Sequence, residues 1–504
     1  MPRKGSQFGP TNDPVALRVY NGRDNIMQSH LEGRCEERLA ETHRGRELFE
    51  SYTALQTIAD DMTFRGVKVD RAQRKFHHHA LRTRMGQAST ILTEIAVRMG
   101  IRTFDVDKRN DWLQLFFGKF HVKPTSYSEK TGVPKLDEEA LKPLVTHPNS
   151  LVQAAARAGL QYRRWGTLDR NHVRGLRLDV RSVVHPFWKP TGTIGQRWTG
   201  SRPNPQNIPK PVEERLPNGK RRIIHGGLRD MFVPQTEKGW IVEADAKQIE
   251  LRIAAFLSGD KPLLDVIAAF DREEGPDPHT VRAIEIFGIK GRKPTDRERT
   301  LSKNFVYGGI LYGGTVETIH SVLSVDSPIE LTLVERMISN YMMAHPALEK
   351  WHTHLVKEAN RKGYVEEPLS GRRRHFWGPP PPTEIYNFPV QTLAGYIINL
   401  AIQRVSPELR WGEEGICFQV HDSLVLDGPD PLRLAEILLD KMEVELELNG
   451  LRARFPVDVK VGGVLTDKET KAVTILPASS WAPNSELTLD QISKLRKGSG
   501  RMLS

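Results

Sequence analysis

Residues 418–428 read FQVHDSLVLDG. Apolar residues run on both sides, as in a pair of buried strands, yet His421, Asp422 and Ser423 stand together in the middle. A buried carboxylate is costly unless something pairs with it. A turn between GICFQV and SLVLDG resolves the conflict, because it leaves Asp422 at the junction of two strands. A second aspartate occupies a similar place. GWIVEADA (239–246) reads as a strand and QIELRIAAFLS behind it as a helix, so Asp245 falls where one gives way to the other. Two aspartates on neighbouring strand ends can hold two divalent ions about 3.5–4 Å apart, the arrangement used for in-line phosphoryl transfer. Oxygen ligands favour Mg²⁺ or Mn²⁺ over zinc. Taken singly, each aspartate is better explained as a helix or turn cap.

A third element adds weight. RERTLSKNFVYGG places Arg299, Lys303 and Tyr307 four residues apart. On a helix they share one face, two cations followed by an aromatic ring, a stripe able to hold a triphosphate and stack a base. Alone it reads better as a solvated basic face with a core tyrosine.

Composition bounds the rest. The chain has 504 residues, 38% hydrophobic and 27% charged, ordinary for a folded protein. A net charge of +11 favours a polyanionic partner, nucleic acid or an acidic membrane surface. Two cysteines, Cys35 and Cys417, exclude a disulfide framework and a Cys-rich metal site. No apolar run approaches the roughly 18 residues of a spanning helix, and MPRKGSQFGPTNDP has no apolar signal core. The expectation is a cytoplasmic protein of a reducing compartment with no membrane partner. Helical periodicity fills 46–165 apart from a turn-rich stretch near 120–136, and a Pro/Gly/Arg-rich passage follows at 185–222. A second helical block runs to about 362, GPPPP (378–382) is a stiff loop, and FPVDVKVGGVL (455–465) reads as a further strand. The tail after 470 is polar, with loose order expected.

Together these motifs resemble those of the family A DNA polymerases, the bacterial DNA polymerase I type. The first motif, roughly D-x-S-Q-I-E-L-R, is DAKQIELR here, with Asp245, Gln248, Glu250 and Arg252 in register. The second, R-x3-K-x3-[FY]-G, is matched by Arg299, Lys303, Tyr307 and Gly308. The third, H-D-E, is HDS at 421–423, and RWTGSRPNPQNIP (197–209) resembles R-L-S-S-x-x-P-N-L-Q-N-I-P. The resemblance spans roughly 46–470 with the motifs in order.

It implies an α+β right-hand polymerase fold: a helical thumb (46–165), an antiparallel-sheet palm (166–251 and 385–470) and helical fingers (252–384). An N-terminal extension (1–45) and a polar tail (471–504) complete the chain. It further implies DNA-templated addition of dNTPs to a primer 3′-hydroxyl. Asp245, Asp422 and the carbonyl of Ala246 would hold two Mg²⁺ ions, for which Mn²⁺ is the expected substitute. Arg299, Lys303 and His279 would grip the phosphates, with Lys303 the general acid. Tyr307, Gln248 and Tyr312 would face the incoming nucleotide, and Glu250 would exclude a ribose 2′-hydroxyl. Arg197, Asn204, Gln206, Asn207, Asn387, Gln391 and His421 match positions around the primer-template DNA.

Three departures stand out. Ser423 replaces the usual acid beside Asp422. Tyr312 lies nine positions after Lys303 where the family's tyrosine lies eight after, a rotation of about 100° on a helix. Either a bulge near Gly308–Gly309 absorbs it or the tyrosine points elsewhere. TLAGY follows Gln391 where the family has G-T-A-A-D, and Thr383 stands where it has an arginine.

YNGRD (20–24) resembles the Y-x3-D of the family's proofreading exonuclease, but 19 residues before Tyr20 are too few for that nuclease. The expectation is a polymerase without a complete exonuclease, with a separate exonuclease or processivity subunit as a candidate partner. Two alternatives remain. A single-subunit RNA polymerase shares HDS but not the QIELR context of Glu250 or the PNPQNIP stretch. A non-catalytic DNA-binding accessory subunit would have no need of Asp245, Asp422, Arg299 and Lys303.

Overall fold

The computed structural model describes residues 31–37, 39–40, 44–209, 212–215, 221–225, 227–324, 329–462, 464–466, 473–475, 479–481 and 484–486. Tyr20 and Asp24 lie outside them. The sheet that carries both aspartates has five strands. In chain order they are β1 (Trp240–Ala246), β2 (Gly415–Val420), β3 (Ser423–Gly428), β4 (Val457–Gly462) and β5 (Asn484–Glu486). They lie side by side in the order β2-β3-β1-β4-β5, each pair antiparallel. Every residue of β2 and β3 is buried, which is why both read as continuous rather than alternating apolar runs.

Helices cover this sheet. α1 (Gly45–Arg65) sends Leu55, Ala59 and Met62 into the core under the sheet. Its last residue, Arg65, reaches Asp427 on β3 at 2.7 Å. Gly415 leaves room for that arm, since a Cβ there would lie 2.2 Å from the Arg65 Nε. α2 (Arg71–Arg98) begins at Asp70, whose side chain accepts from the amides of Ala72 and Gln73, a good N-cap. α3 (Ser150–Leu168) packs along α2. Between them Leu92, Ile95, Trp112, Phe116, Leu141 and Val152 form a core of their own. The expected helical lobe 46–165 is therefore divided: α1 belongs to the sheet, and only the outer part has an independent core.

After β1 the chain enters the second helical region, through α4 (Ile249–Ser258), α5 (Pro278–Phe287) and α6 (Asp296–Gly308). Asp277 caps α5. Thr295 and Glu298 cap α6 reciprocally, each side chain accepting from the other's amide. A hairpin, Tyr364–Glu366 with Arg373–His375, interrupts the helices before α7 (Pro382–Val405). α7 is buried on nearly every side, and α8 (Pro431–Met442) lies against β1 and β4.

The carboxyl-terminal segment departs from the polar, loosely ordered tail expected of it. Val473–Ile475 pairs with Val464–Thr466, and β5 extends the central sheet. Trp481 is fully buried, stacked on Phe418 of β2 at 4.4 Å. The single strand expected over 455–465 is β4 followed by Val464–Thr466, which belongs to a different sheet. Among the described residues no helix is long and apolar enough to cross a membrane.

Candidate active site

Asp245 is the penultimate residue of β1, paired with Ser423 on one side and Asp458 on the other. Val420 pairs with Ser423, so His421 and Asp422 alone connect β2 to β3. A two-residue hairpin requires positive φ in its loop. His421 supplies it, at φ +55°, at a cost of about 1–3 kcal/mol for a residue with a side chain. The Ala246 amide donates to the Asp422 carbonyl at 3.0 Å. That bond fastens the hairpin tip to the end of β1 and brings the two aspartates to one place.

The charges there oppose one another. Burial pushes the Asp422 carboxyl up to about 7 from its ordinary 3.8; the Arg197 guanidinium draws it down, and the carboxylates of Glu250 and Asp245 raise it further. A crowd of acidic oxygens with a raised proton affinity is a donor set that fits divalent cations, hard ions that prefer oxygen. The donors are two carboxylates and main-chain carbonyls; among the described residues no cluster of three or more His, Cys, Asp or Glu is arranged to hold a metal.

Glu250 stands beside them in the first turn of α4. It forms an ion pair with Arg197 and accepts a hydrogen bond from the Tyr312 hydroxyl. Burial and the Glu250 charge hold that phenol far above its ordinary pKa. Tyr312 reaches Glu250 despite the extra residue because α6 ends at Gly308 and Gly309 breaks the helix before one tight turn, Ile310–Tyr312. A Cβ on Gly309 would lie 2.3 Å from Ile319, so the break needs glycine. The extra residue is thus absorbed by a helix break at Gly309, not by a bulge in a continuing helix. Gln248 caps α4 with a left-handed backbone at φ +49°. Arg252, in register with the first motif, is buried and pairs with Asp271 at 2.5 Å, a packing contact rather than a site residue.

A second group gathers on α5 and α6. Arg299 pairs with the cap residue Asp277 at 3.0 Å. Exposed Lys303 lies one turn further, and the helix carries Tyr307 one turn beyond that. His279 is held down to about 4, first by burial and then by the neighbouring charges of Arg282 and Lys303.

The residues expected around the primer-template are spread along the 197–207 stretch, α7 and the tip of the β2–β3 hairpin. Asn204 is occupied in capping its own turn. Gln206 donates to the Trp198 carbonyl at 2.9 Å and to the Gln419 side chain at 3.0 Å. Asn207 and His421 are exposed. Asn387 holds a buried carbonyl oxygen with no hydrogen-bond partner. Gln391 packs against Gly195, where a Cβ would come within 3.4 Å of its own.

Sequence reading flagged Ser423 but missed its partners beneath this group. Ser423 is buried, and its one hydroxyl proton is shared between the Val420 carbonyl at 3.0 Å and Glu243 at 3.2 Å. Glu243, also buried, accepts from the Trp481 indole at 3.0 Å and faces Arg229 at 3.7 Å. Arg229 in turn lies 4.0 Å over the Trp481 ring. Gln419 donates to the His421 carbonyl at 2.5 Å. Period-two alternation puts Glu243 on the face of Asp245, and a charge inside an otherwise apolar strand was the available signal.

A sequence model of DNA polymerase family A matches residues 75–467. The chain is 29% identical over 503 residues to "DNA polymerase I, thermostable" of Thermus thermophilus, covering 91% of this chain and 56% of that protein. It is 27% identical over 487 residues to "DNA polymerase I" of Bacillus caldotenax, covering 92% and 51%. The chain thus spans about half the length of these curated relatives. Its fold is similar to a solved structure, "POL domain of Pol1 from M. smegmatis complex with DNA primer-template and dNTP", with a TM-score of 0.65 at 23% identity over 81% of this chain and 69% of that one. The paired aspartates, the cationic helix and the sheet that joins them occur in a chain matched over most of its length: this protein belongs to DNA polymerase family A.

Proposed function

We propose that the chain is a DNA-templated DNA polymerase that extends a primer 3′-hydroxyl with dNTPs by two-metal-ion nucleotidyl transfer. The observation that carries this is the Ala246–Asp422 hydrogen bond, which holds Asp422 beside Asp245 with Glu250 adjacent. Asp245, Asp422 and the Ala246 carbonyl would hold two Mg²⁺ ions, whose chemistry there is to acidify the 3′-hydroxyl and offset phosphate charge.

The chain's own residues do the positioning. Arg299 and Lys303 offer positive charge to the triphosphate, Arg299 by exchanging its exposed pair with Asp277 for a phosphate. His279, with its pKa near 4, is neutral at pH 7 and contributes a hydrogen bond rather than a charge. Lys303 can pass its proton to the departing pyrophosphate. Glu250, clamped by Arg197 and Tyr312, cannot swing aside, so a 2′-hydroxyl meets a fixed carboxylate. Asn387 and Gln391 can test the minor-groove acceptors that every correct pair presents. Tyr307 would meet the sugar and base, and His421 the primer end. Tyr20 and Asp24, which resemble the Y-x3-D of a proofreading exonuclease, lie outside the described residues.

Primer extension on primed DNA with Mg²⁺, with dNTPs or rNTPs in parallel, tests the reading beside Asp422→Ala. The expected result is extension with dNTPs and a loss in the variant exceeding the roughly 100-fold that outer-shell changes cost. Efficient extension with rNTPs would favour an RNA polymerase. Tight DNA binding with no extension would favour an accessory subunit.

A further inference from the structure

The hairpin that carries Asp422 has serine where the family places a second acid, yet a carboxylate still lies against it. Glu243 projects from β1 two residues before Asp245, on the same face, and its Oε1 lies 3.2 Å from the Ser423 hydroxyl, sharing that proton with the Val420 carbonyl at 3.0 Å. A carboxylate this deeply buried is held only by partners that neutralise and bond it. Arg229 supplies the opposite charge at 3.7 Å, and the Trp481 indole donates to Oε2 at 3.0 Å. Trp481 is itself fixed by stacking on Phe418, by an edge contact with Phe232 and by its amide, which donates to the Phe232 carbonyl at 3.0 Å. Trp481 lies beyond residue 467, where the match to the family ends. A segment outside the matched region thus closes a buried chain, Trp481–Glu243–Ser423, under the metal-binding hairpin.

We propose that Glu243 is the positioning carboxylate of this active site, moved from the hairpin to the adjacent strand, and that Trp481 and Arg229 hold it there. This rests on the polymerase reading of the site. Glu243 acts in two ways. Through Ser423 it fixes the start of β3, and so the angle at which the loop presents Asp422. It also engages Arg229, a buried cation that feels the charge of Asp245 as well as that of Glu243. Without Glu243 the guanidinium would turn to Asp245 and compete with a metal ion for the same oxygens.

The test compares Glu243→Ala, Glu243→Gln, Trp481→Phe and the double variant Glu243→Ala/Ser423→Glu with the parent chain. The readouts are Mn²⁺ binding to the DNA-free protein by electron paramagnetic resonance, thermal denaturation, and single-turnover extension. Outer-shell changes at metal sites cost about 10–100-fold. Glu243→Ala and Glu243→Gln are each expected to lower Mn²⁺ affinity and the extension rate constant by about tenfold or more, with the KM for dNTP within about twofold. Trp481→Phe, which keeps an aromatic ring but deletes the N–H and the volume of the second ring, should show a smaller loss of the same kind. Restoring the acid on the hairpin in the double variant should recover most of both quantities.

Parental Mn²⁺ affinity in a folded Glu243→Ala, or a double variant that binds Mn²⁺ no better than the single one, overturns the proposal. If Glu243→Ala does not fold, the double variant decides: a folded, Mn²⁺-binding double variant supports the proposal and an unfolded one overturns it. A parent chain that binds Mn²⁺ but extends nothing defeats the polymerase reading instead, leaving the binding comparison to judge Glu243.

Discussion

A carboxyl group that ionises only near neutrality binds protons and metal ions in competition. Asp422, raised to about 7 from 3.8 by burial and by its acidic neighbours, favours the folded state most while protonated. That contribution is fully present below about pH 4 and is lost as pH rises through about 7. The metal-free protein should therefore lose thermal stability between about pH 4 and pH 7. Mg²⁺ should restore more of it at pH 8 than at pH 5, and Asp422→Asn should flatten the fall. A melting series over pH with and without Mg²⁺ checks this; an unchanged slope in Asp422→Asn would place the titration elsewhere. Glu250 makes a different prediction. Its carboxylate is held from two sides, by Arg197 and Tyr312, so Glu250→Ala should open the space it occupies. The ratio of kcat/KM for dNTP over rNTP should fall by at least about tenfold, within the range a single pocket contact controls. A ratio unchanged from the parent would remove Glu250 from sugar selection.

Elements explain what the sequence could and could not reveal. β1, the hairpin and α6 were legible because each couples a local pattern to a junction: strand into helix, strand into strand, and a four-residue stripe. The position of Tyr312 was not, since counting residues along a helix assumes that the helix continues. Gly309 ends it, and the close approach of Ile319 is a long-range fact with no local period. Glu243 carried a local signal, a charge in an apolar strand, but its partner Trp481 lies 238 residues away in sequence. The outer helical core gives the prediction at this scale. Trp112 is buried there, and a Cβ on Gly159 would come within 2.7 Å of its ring. Trp112→Ala should cost about 3–5 kcal/mol within that core alone. Hydrogen exchange should show faster opening of residues 92–158 with the central sheet still protected, and primer-template binding should weaken while the KM for dNTP holds. Loss of protection throughout the sheet would mean the two cores unfold as one.

At the scale of the molecule, a net charge of +11 leaves binding to a polyanion dominated by counterion release. Primer-template affinity should fall linearly in log–log form, with a slope of about 0.9 per phosphate neutralised. For six or more such contacts, raising salt from about 50 to 200 mM would weaken binding by roughly a thousandfold. Equilibrium titrations across that range measure the slope, and a flat response would argue against an extended phosphate-binding surface. The fold class followed from motifs in order, whereas the closing of the sheet by the polar tail did not, because so few apolar residues announce it.

β5 pairs with Lys460–Gly462 through Asn484–Glu486, and that short pairing covers the second half of β4. An uncovered strand offers a row of amide and carbonyl groups to any neighbouring chain. The same few residues therefore protect against self-association: a shortened chain that lost them would present a sticky border, and its first symptom would be turbidity in concentrated solution rather than slower chemistry.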